Sequence, residues 1–170
     1  MKTPALSRPK TARAVAGRAR TPAEFGRNLR DWFHELRLLT SGAELARACR
    51  VRPPQRAGLF RDGGVADAFL AAQVEHLCAG AGLRAPRWVY APGSVLRQPW
   101  FPHENANAHL RAVLIRDAHA AFVNHNLFTT SEITWRPRVG RPRVRTAAQH
   151  REAGRLRQQR WRERRRTSSG

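Results

Sequence analysis

Apolar residues recur through the middle of the chain at helical period, with charged residues between them. Phe25, Leu29, Trp32, Phe33 and Leu36 stand at i, i+4, i+7, i+8 and i+11, one stripe that leaves Arg27, Arg30, Asp31 and Glu35 on other faces. Ahead of it, Thr21-Pro22-Ala23-Glu24 reads as a capping box with proline at the first helical position, where its missing N–H costs nothing. A helix is predicted to begin there. Ser41-Gly42-Ala43-Glu44 repeats the signature before a shorter segment, Leu45 to Cys49, which Pro53-Pro54 prevents from continuing. Asp62-Gly63-Gly64 predicts the start of the strongest helix, in which Leu70, Val74, Leu77, Cys78 and Ala81 form the core stripe and Gly82 supplies a left-handed stop.

From Arg84 to Pro102 the pattern changes. Pro86, Pro92, Pro99 and Pro102 stand among Trp88, Val89, Tyr90, Trp100 and Phe101, which predicts an extended connector whose aromatics pack over the helices. Asn107 then caps a segment with Leu110, Val113, Leu114, Ala118, Ala121 and Phe122 on one face, re-initiated near Asp117. The expected fold class is all-α: a small domain of four or five helices with a Pro- and aromatic-rich connector and no clear strand pairing.

Charge divides the chain differently from hydropathy. Residues 1–20 hold six Lys/Arg and no acid, residues 136–170 hold thirteen Arg against Glu152 and Glu163, and residues 21–135 hold thirteen against ten. The net charge of +20 is therefore concentrated in the two end segments. Such a distribution predicts a disordered basic arm over 1–20, a helical domain over 21–135, and an Arg-rich arm over 136–170 that becomes helical on binding. Polybasic arms attract polyanions, so nucleic acid is the expected partner.

Several classes are disfavoured by what the sequence lacks. Cys49 and Cys78 are 29 residues apart, without a C-x-x-C pair or histidines at zinc spacing, so neither a disulfide framework nor a metal site is indicated. Seven histidines show no H-E-x-x-H, and the pairs His103/His109 and His119/His125, six apart, fall on different sides of a helix. Asp31, His34 and Glu35 share a face of the first predicted helix, where a solvated charged face is the expected reading. No cofactor or metal is expected, and no enzymatic activity. No apolar run approaches the ~18 residues of a membrane span and no secretory signal is read, so the expected location is the cytoplasm, with no membrane partner.

The last segment carries the candidate interface residues. Arg138-Val139-Gly140-Arg141-Pro142-Arg143 contains Gly-Arg-Pro and resembles the core of an AT-hook, in which glycine permits close approach and guanidinium groups line a narrow minor groove. Val139 stands where such hooks favour arginine. Arg145 follows, then a run of helix formers from Thr146 that includes Arg157, Arg160, Trp161, Arg162, Arg164, Arg165 and Arg166. Leu156 and Trp161 share no stripe, so a helix here has nothing to bury against the body, and mutual repulsion opposes ordering until phosphates neutralise the arginines. Arg138, Arg141, Arg143, Arg145 and those from Arg157 to Arg166 are expected to contact phosphate, DNA more than RNA, and Trp161 to stack on a base of a single strand.

The central segments resemble a family of small uncharacterised bacterial proteins. The likeness lies in Asp67-Ala68-Phe69-Leu70-Ala71-Ala72 with Glu75-His76-Leu77, in Pro99-Trp100-Phe101, and in Leu110-Arg111-Ala112-Val113-Leu114 followed by Ala121-Phe122 and Asn126-Leu127-Phe128. The resemblance covers roughly residues 24–133 and implies an all-helical body. It also implies a neighbouring gene for a nucleotidyltransferase-like protein, in arrangements of the toxin–antitoxin kind. Asp117-Ala118-His119 departs from the Glu-Ser-Pro of that family. The expected function is a helical protein-interaction domain with an Arg-rich nucleic-acid-binding tail, in an antitoxin-like or regulatory component. Two alternatives are a helical RNase or toxin subunit, using Arg97 with His103 or Arg145 with His150, and a structural interaction module without nucleic-acid binding.

Overall fold

The computed structural model describes residues 7–103 and 105–130, all within the unit Met1–Arg138. The arm over 136–170, with every candidate residue from Arg138 to Arg166, lies outside the described residues, as do residues 1–6. Among the described residues the helices are α1 (Ala12–Gly17), α2 (Pro22–Leu36), α3 (Gly42–Arg50), α4 (Gly63–Gly80), α5 (Ala108–Asp117) and α6 (Ala120–Val123), with a 3-10 turn at Arg87–Tyr90. No strand occurs among them. Trp100 and Leu127 form an isolated parallel bridge, in which the Trp100 N–H donates to the Asn126 carbonyl and the Phe128 N–H to the Trp100 carbonyl, each at 2.9 Å. The fold class is all-α, as the hydropathy pattern predicts.

Helix α1 corrects the expected amino-terminal arm. Thr11 Oγ1 accepts from the Ala14 N–H at 3.2 Å, and Ala12, Val15, Ala16 and Ala19 are fully buried. Those four stand at i, i+3, i+4 and i+7, a helical stripe built from the smallest side chains and therefore hidden beneath the basic charge around it. Neither Pro9 nor Gly17 interrupts the helix, because the proline precedes its start and the glycine is its last residue. From Ser7 to Arg20 the chain is part of the folded body.

Both predicted capping boxes form. Thr21 Oγ1 accepts from the Glu24 N–H at 3.2 Å, while Glu24 Oε2 accepts from the Arg20 N–H at 2.8 Å. At α3, Ser41 Oγ accepts from the Glu44 N–H at 3.3 Å, and Glu44 Oε2 accepts from the N–H and hydroxyl of Thr40 at 2.7 and 3.1 Å. In each case the glutamate reaches one residue further back than the usual reciprocal partner. Phe25, Leu29, Trp32, Phe33 and Leu36 are all buried, as their spacing predicts. A cap is worth ~1 kcal/mol, whereas truncating one buried Phe or Trp costs ~3–5 kcal/mol. Packing therefore holds α2, and the caps set where it starts.

Helix α4 is central. Leu70, Ala71, Val74, Leu77 and Cys78 join the main core with α1, α2, α3, Trp88 and Val89. Ala68 and Ala72, on another face, pack with Ala121, Phe122 and Leu127 in a second cluster. Asp62 precedes the helix in a left-handed conformation (φ 61°) and makes no side-chain cap, so its expected role in initiation is backbone geometry alone. At the other end Gly82 (φ +66°) donates to the Ala79 carbonyl at 3.0 Å, and the Leu83 N–H to the Cys78 carbonyl at 2.8 Å. These are the two bonds of a Schellman stop.

The connector packs only in part as expected. Trp88 and Val89 are buried, and Trp88 Nε1–H donates to the Cys49 carbonyl at 2.9 Å, but Tyr90 is 58% exposed. Phe101 stacks on Phe128 with centroids 5.1 Å apart, and the Arg111 guanidinium lies 5.3 Å over the Phe101 ring. Asn107 Oδ1 caps α5 through the Leu110 N–H at 2.8 Å. The chain re-initiates at His119, whose Nδ1 accepts from the Ala121 N–H at 3.2 Å, rather than at Asp117. Leu114 is the one buried side chain of α5, so most of its predicted apolar face stays half-buried.

Two outcomes test this fold. A Cβ on Gly63 would lie 2.0 Å from the Arg56 carbonyl oxygen, whereas one on Gly64 meets Ala57 Cβ at an ordinary 4.0 Å. Urea unfolding should show Gly63→Ala destabilised by about 2–4 kcal/mol. Gly64→Ala should be neutral or stabilising by up to ~1 kcal/mol. The second concerns Glu44, whose carboxyl is held below its ordinary 4.5 by the Thr40 N–H and hydroxyl. A depressed carboxyl stabilises the fold above its unfolded pKa and loses that contribution as pH falls through the folded one. Below pH 4.5 the melting temperature should fall more steeply in the wild type than in Glu44→Gln.

Candidate nucleic-acid interface

The described residues contain eighteen Lys/Arg and eight Asp/Glu, and the acids are largely committed to the fold. Glu24 and Glu44 serve the two caps. Asp67, buried in α4, accepts from the N–H groups of Arg56 at 2.8 Å and Ala57 at 2.9 Å. Burial pushes its carboxyl up, with those N–H groups and the Arg56 charge pulling the other way. Glu75 Oε1 accepts from Asn124 Nδ2 at 2.8 Å, and its Oε2 lies 3.0 Å from Nε2 of the fully buried His125. Asp117 takes Arg116 in a two-point pair of 2.7 and 3.0 Å, which lowers the carboxyl and raises the guanidinium. Positive charge is what remains for the surface.

Helix α1 packs against α3, and both carry exposed basic residues. Lys10, just before α1, and Arg13 within it are exposed, while Ala12, Val15 and Ala16 of that helix are buried. Arg47 and Arg50, one turn apart in the last turns of α3, are exposed, as is Arg52 just beyond. Their place at the helix C-terminus also suits the negative end of the α3 dipole. The two elements are tied together: Arg56 Nη1 donates to the Ala19 carbonyl at 3.0 Å, and a Cβ on Gly17 would touch Pro54 Cγ at 3.8 Å. Residues 7–23 contain no acid, and Glu44 is spent at the far end of α3. Cationic side chains on two packed helices can meet the phosphates of a polynucleotide.

Other sequence candidates are placed as follows. Asp31 and Glu35 face Arg8, each 3.9 Å from its guanidinium, while His34 is exposed. His119 and His125 do not share a helix: the first caps α6, and the second donates through Nδ1 to the Ser94 carbonyl at 2.5 Å. His76 and His119 meet edge to face with centroids 4.1 Å apart. Burial raises the Tyr90 phenol, and the charge of the Glu75 carboxylate adds to the effect. Arg97 and His103 are both exposed, and Arg145 with His150 lies outside the described residues.

Sequence spacing missed one pairing. Cys49 of α3 and Cys78 of α4, both buried, interact so that the Cys49 thiol is raised, burial adding to the effect, and that of Cys78 is lowered. Only the packing of α3 on α4 brings them together, so no local pattern announces it. Among the described residues no group of three His, Cys, Asp or Glu could hold a metal ion, and no helix is long and apolar enough to cross a membrane. No family model, curated protein or solved structure matches the chain.

Proposed function

We propose that the protein binds nucleic acid with little sequence preference, and DNA in preference to RNA. The α1–α3 surface acts together with the arginine arm over 136–170, while the helical body engages a protein partner as an antitoxin-like or regulatory component. The observation that carries the nucleic-acid reading is the packing of α1 against α3, which leaves Lys10, Arg13, Arg47 and Arg50 exposed on or beside two neighbouring helices. The preference for DNA rests on the Gly140-Arg141-Pro142 sequence and its likeness to an AT-hook. The partner reading draws support from α5, where Ile115 is 51% exposed and Leu114 alone is buried. A nucleotidyltransferase-like partner follows from the family resemblance of the body.

Each phosphate contact contributes about 0.9 to the slope of log affinity against log salt. Replacing Lys10, Arg13, Arg47 and Arg50 together with alanine should lower the slope for a labelled duplex by about 3.6 and weaken all sequences alike. Removing residues 136–170 should take away most of the remaining affinity. A slope unchanged by the four substitutions, read by fluorescence anisotropy, would defeat the role given to α1 and α3. Copurification with the product of the adjacent gene tests the partner, and failure of the two proteins to associate would remove the antitoxin-like reading.

A further inference from the structure

A groove of about 230 Å³ lies between the Ser7–Pro9 segment, the end of α1 and the first turns of α2, lined by Arg8, Arg18 and Arg27 with Glu24, Asn28 and Asp31. We infer that this groove receives a single phosphate group and, on the nucleic-acid reading above, that the phosphate belongs to the polynucleotide backbone. Its three guanidinium groups come from three separate parts of the chain, so only folding brings them together.

The walls are fixed before any ligand arrives. Pro9 is buried, and an N–H of Arg18 donates to the Ser7 carbonyl, which holds the amino-terminal segment across α2. Asn28 Nδ2 donates to the Val15 carbonyl at 3.1 Å and fastens α1 to α2. The two carboxylates in the groove have partners of their own: Glu24 Oε2 accepts from the Arg20 N–H at 2.8 Å, and Asp31 Oδ1 lies 3.9 Å from Arg8 Nε. Arg27 makes no hydrogen bond or ion pair among the described residues and is exposed. Its planar fork is left to take an anion, and a phosphate with two oxygens on one guanidinium matches that fork better than a halide does.

Size selects the ligand further. Pockets that enclose a whole small molecule run to ~300–1,000 Å³. The groove is smaller than that and holds a phosphate with its ester groups open to water, not a buried base. Recognition is then of the backbone, consistent with binding that ignores sequence.

The test uses the full chain with two probes, inorganic phosphate and a labelled duplex. Phosphate should raise the melting temperature of the wild type above that in chloride of equal ionic strength. Arg27→Ala, at an exposed position that leaves the fold intact, should abolish the rise, and Arg27→Lys should retain part of it. Arg27→Ala should also lower duplex affinity about threefold to tenfold and reduce its salt slope by about 1. If phosphate protects through Arg27 while the duplex binds the variant and the wild type alike, the groove stands as a phosphate site and its phosphate comes from a small ester. Protection equal in Arg27→Ala and wild type, or none in either, overturns the site. A wild type that binds phosphate through Arg27 but no duplex at all overturns the nucleic-acid reading and leaves the groove.

Discussion

Helix α4 has buried side chains on every face, and the rest of the body is arranged to meet that condition. A helix packed on all sides must bury its polar residues along with its apolar ones, and each buried polar group needs a partner. Asp67 finds the backbone N–H groups of Arg56 and Ala57, which fixes the course of the segment that enters the helix. Two turns further on, Glu75 binds Asn124 and His125, and His125 in turn binds the Ser94 carbonyl. Through these contacts α4 organises both the loop before it and the turns that follow α6. The apolar cores on its faces, one with α1 to α3 and one with α6, are thereby held in register.

The same condition shapes the electrostatics of the surface. Carboxylates are scarce, and among the described residues the fold uses Glu24 and Glu44 at helix starts and Asp67 in the interior as acceptors for N–H groups. An acid used in a cap or in a buried pair does little to neutralise a distant arginine, since exposed charges are screened beyond ~10 Å at moderate salt. The arginines that remain outside therefore act as a positive surface although the middle of the sequence is nearly balanced in sign. Net charge by segment is a property of composition, whereas charge by face is a property of packing.

Much of the helical order is legible in the residues. The boxes at Thr21 and Ser41, the five-residue stripe of α2, the stop at Gly82 and the cap at Asn107 all depend on neighbours within a few positions. What was not legible depends on partners far along the chain. The alanines of α1 bury little area each, so their periodicity is a weaker signal than the charge beside them, and a folded helix looks like a basic arm. The encounter of Cys49 with Cys78, the burial of His125 against Glu75 and Ser94, and the groove shared by Arg8, Arg18 and Arg27 require elements apart in sequence to be assembled first. Four prolines correctly announced an irregular connector, yet could not say that Trp88 turns inward while Tyr90 remains outside.

Folding α1 onto the body changes the physics of binding as well as the topology. Arginines on a disordered arm lose conformational freedom when they meet phosphate, at ~1–2 kcal/mol per backbone residue fixed. Lys10, Arg13, Arg18 and Arg20 have their backbone ordered already, so on the proposed nucleic-acid reading more of each phosphate contact would appear as affinity. On that reading the contacts of the body and those of the basic sequence over 136–170, carried on one chain, would add to one another as avidity. Weak, salt-sensitive contacts of this kind would leave the protein free to move along a polymer until the proposed partner fixed its place.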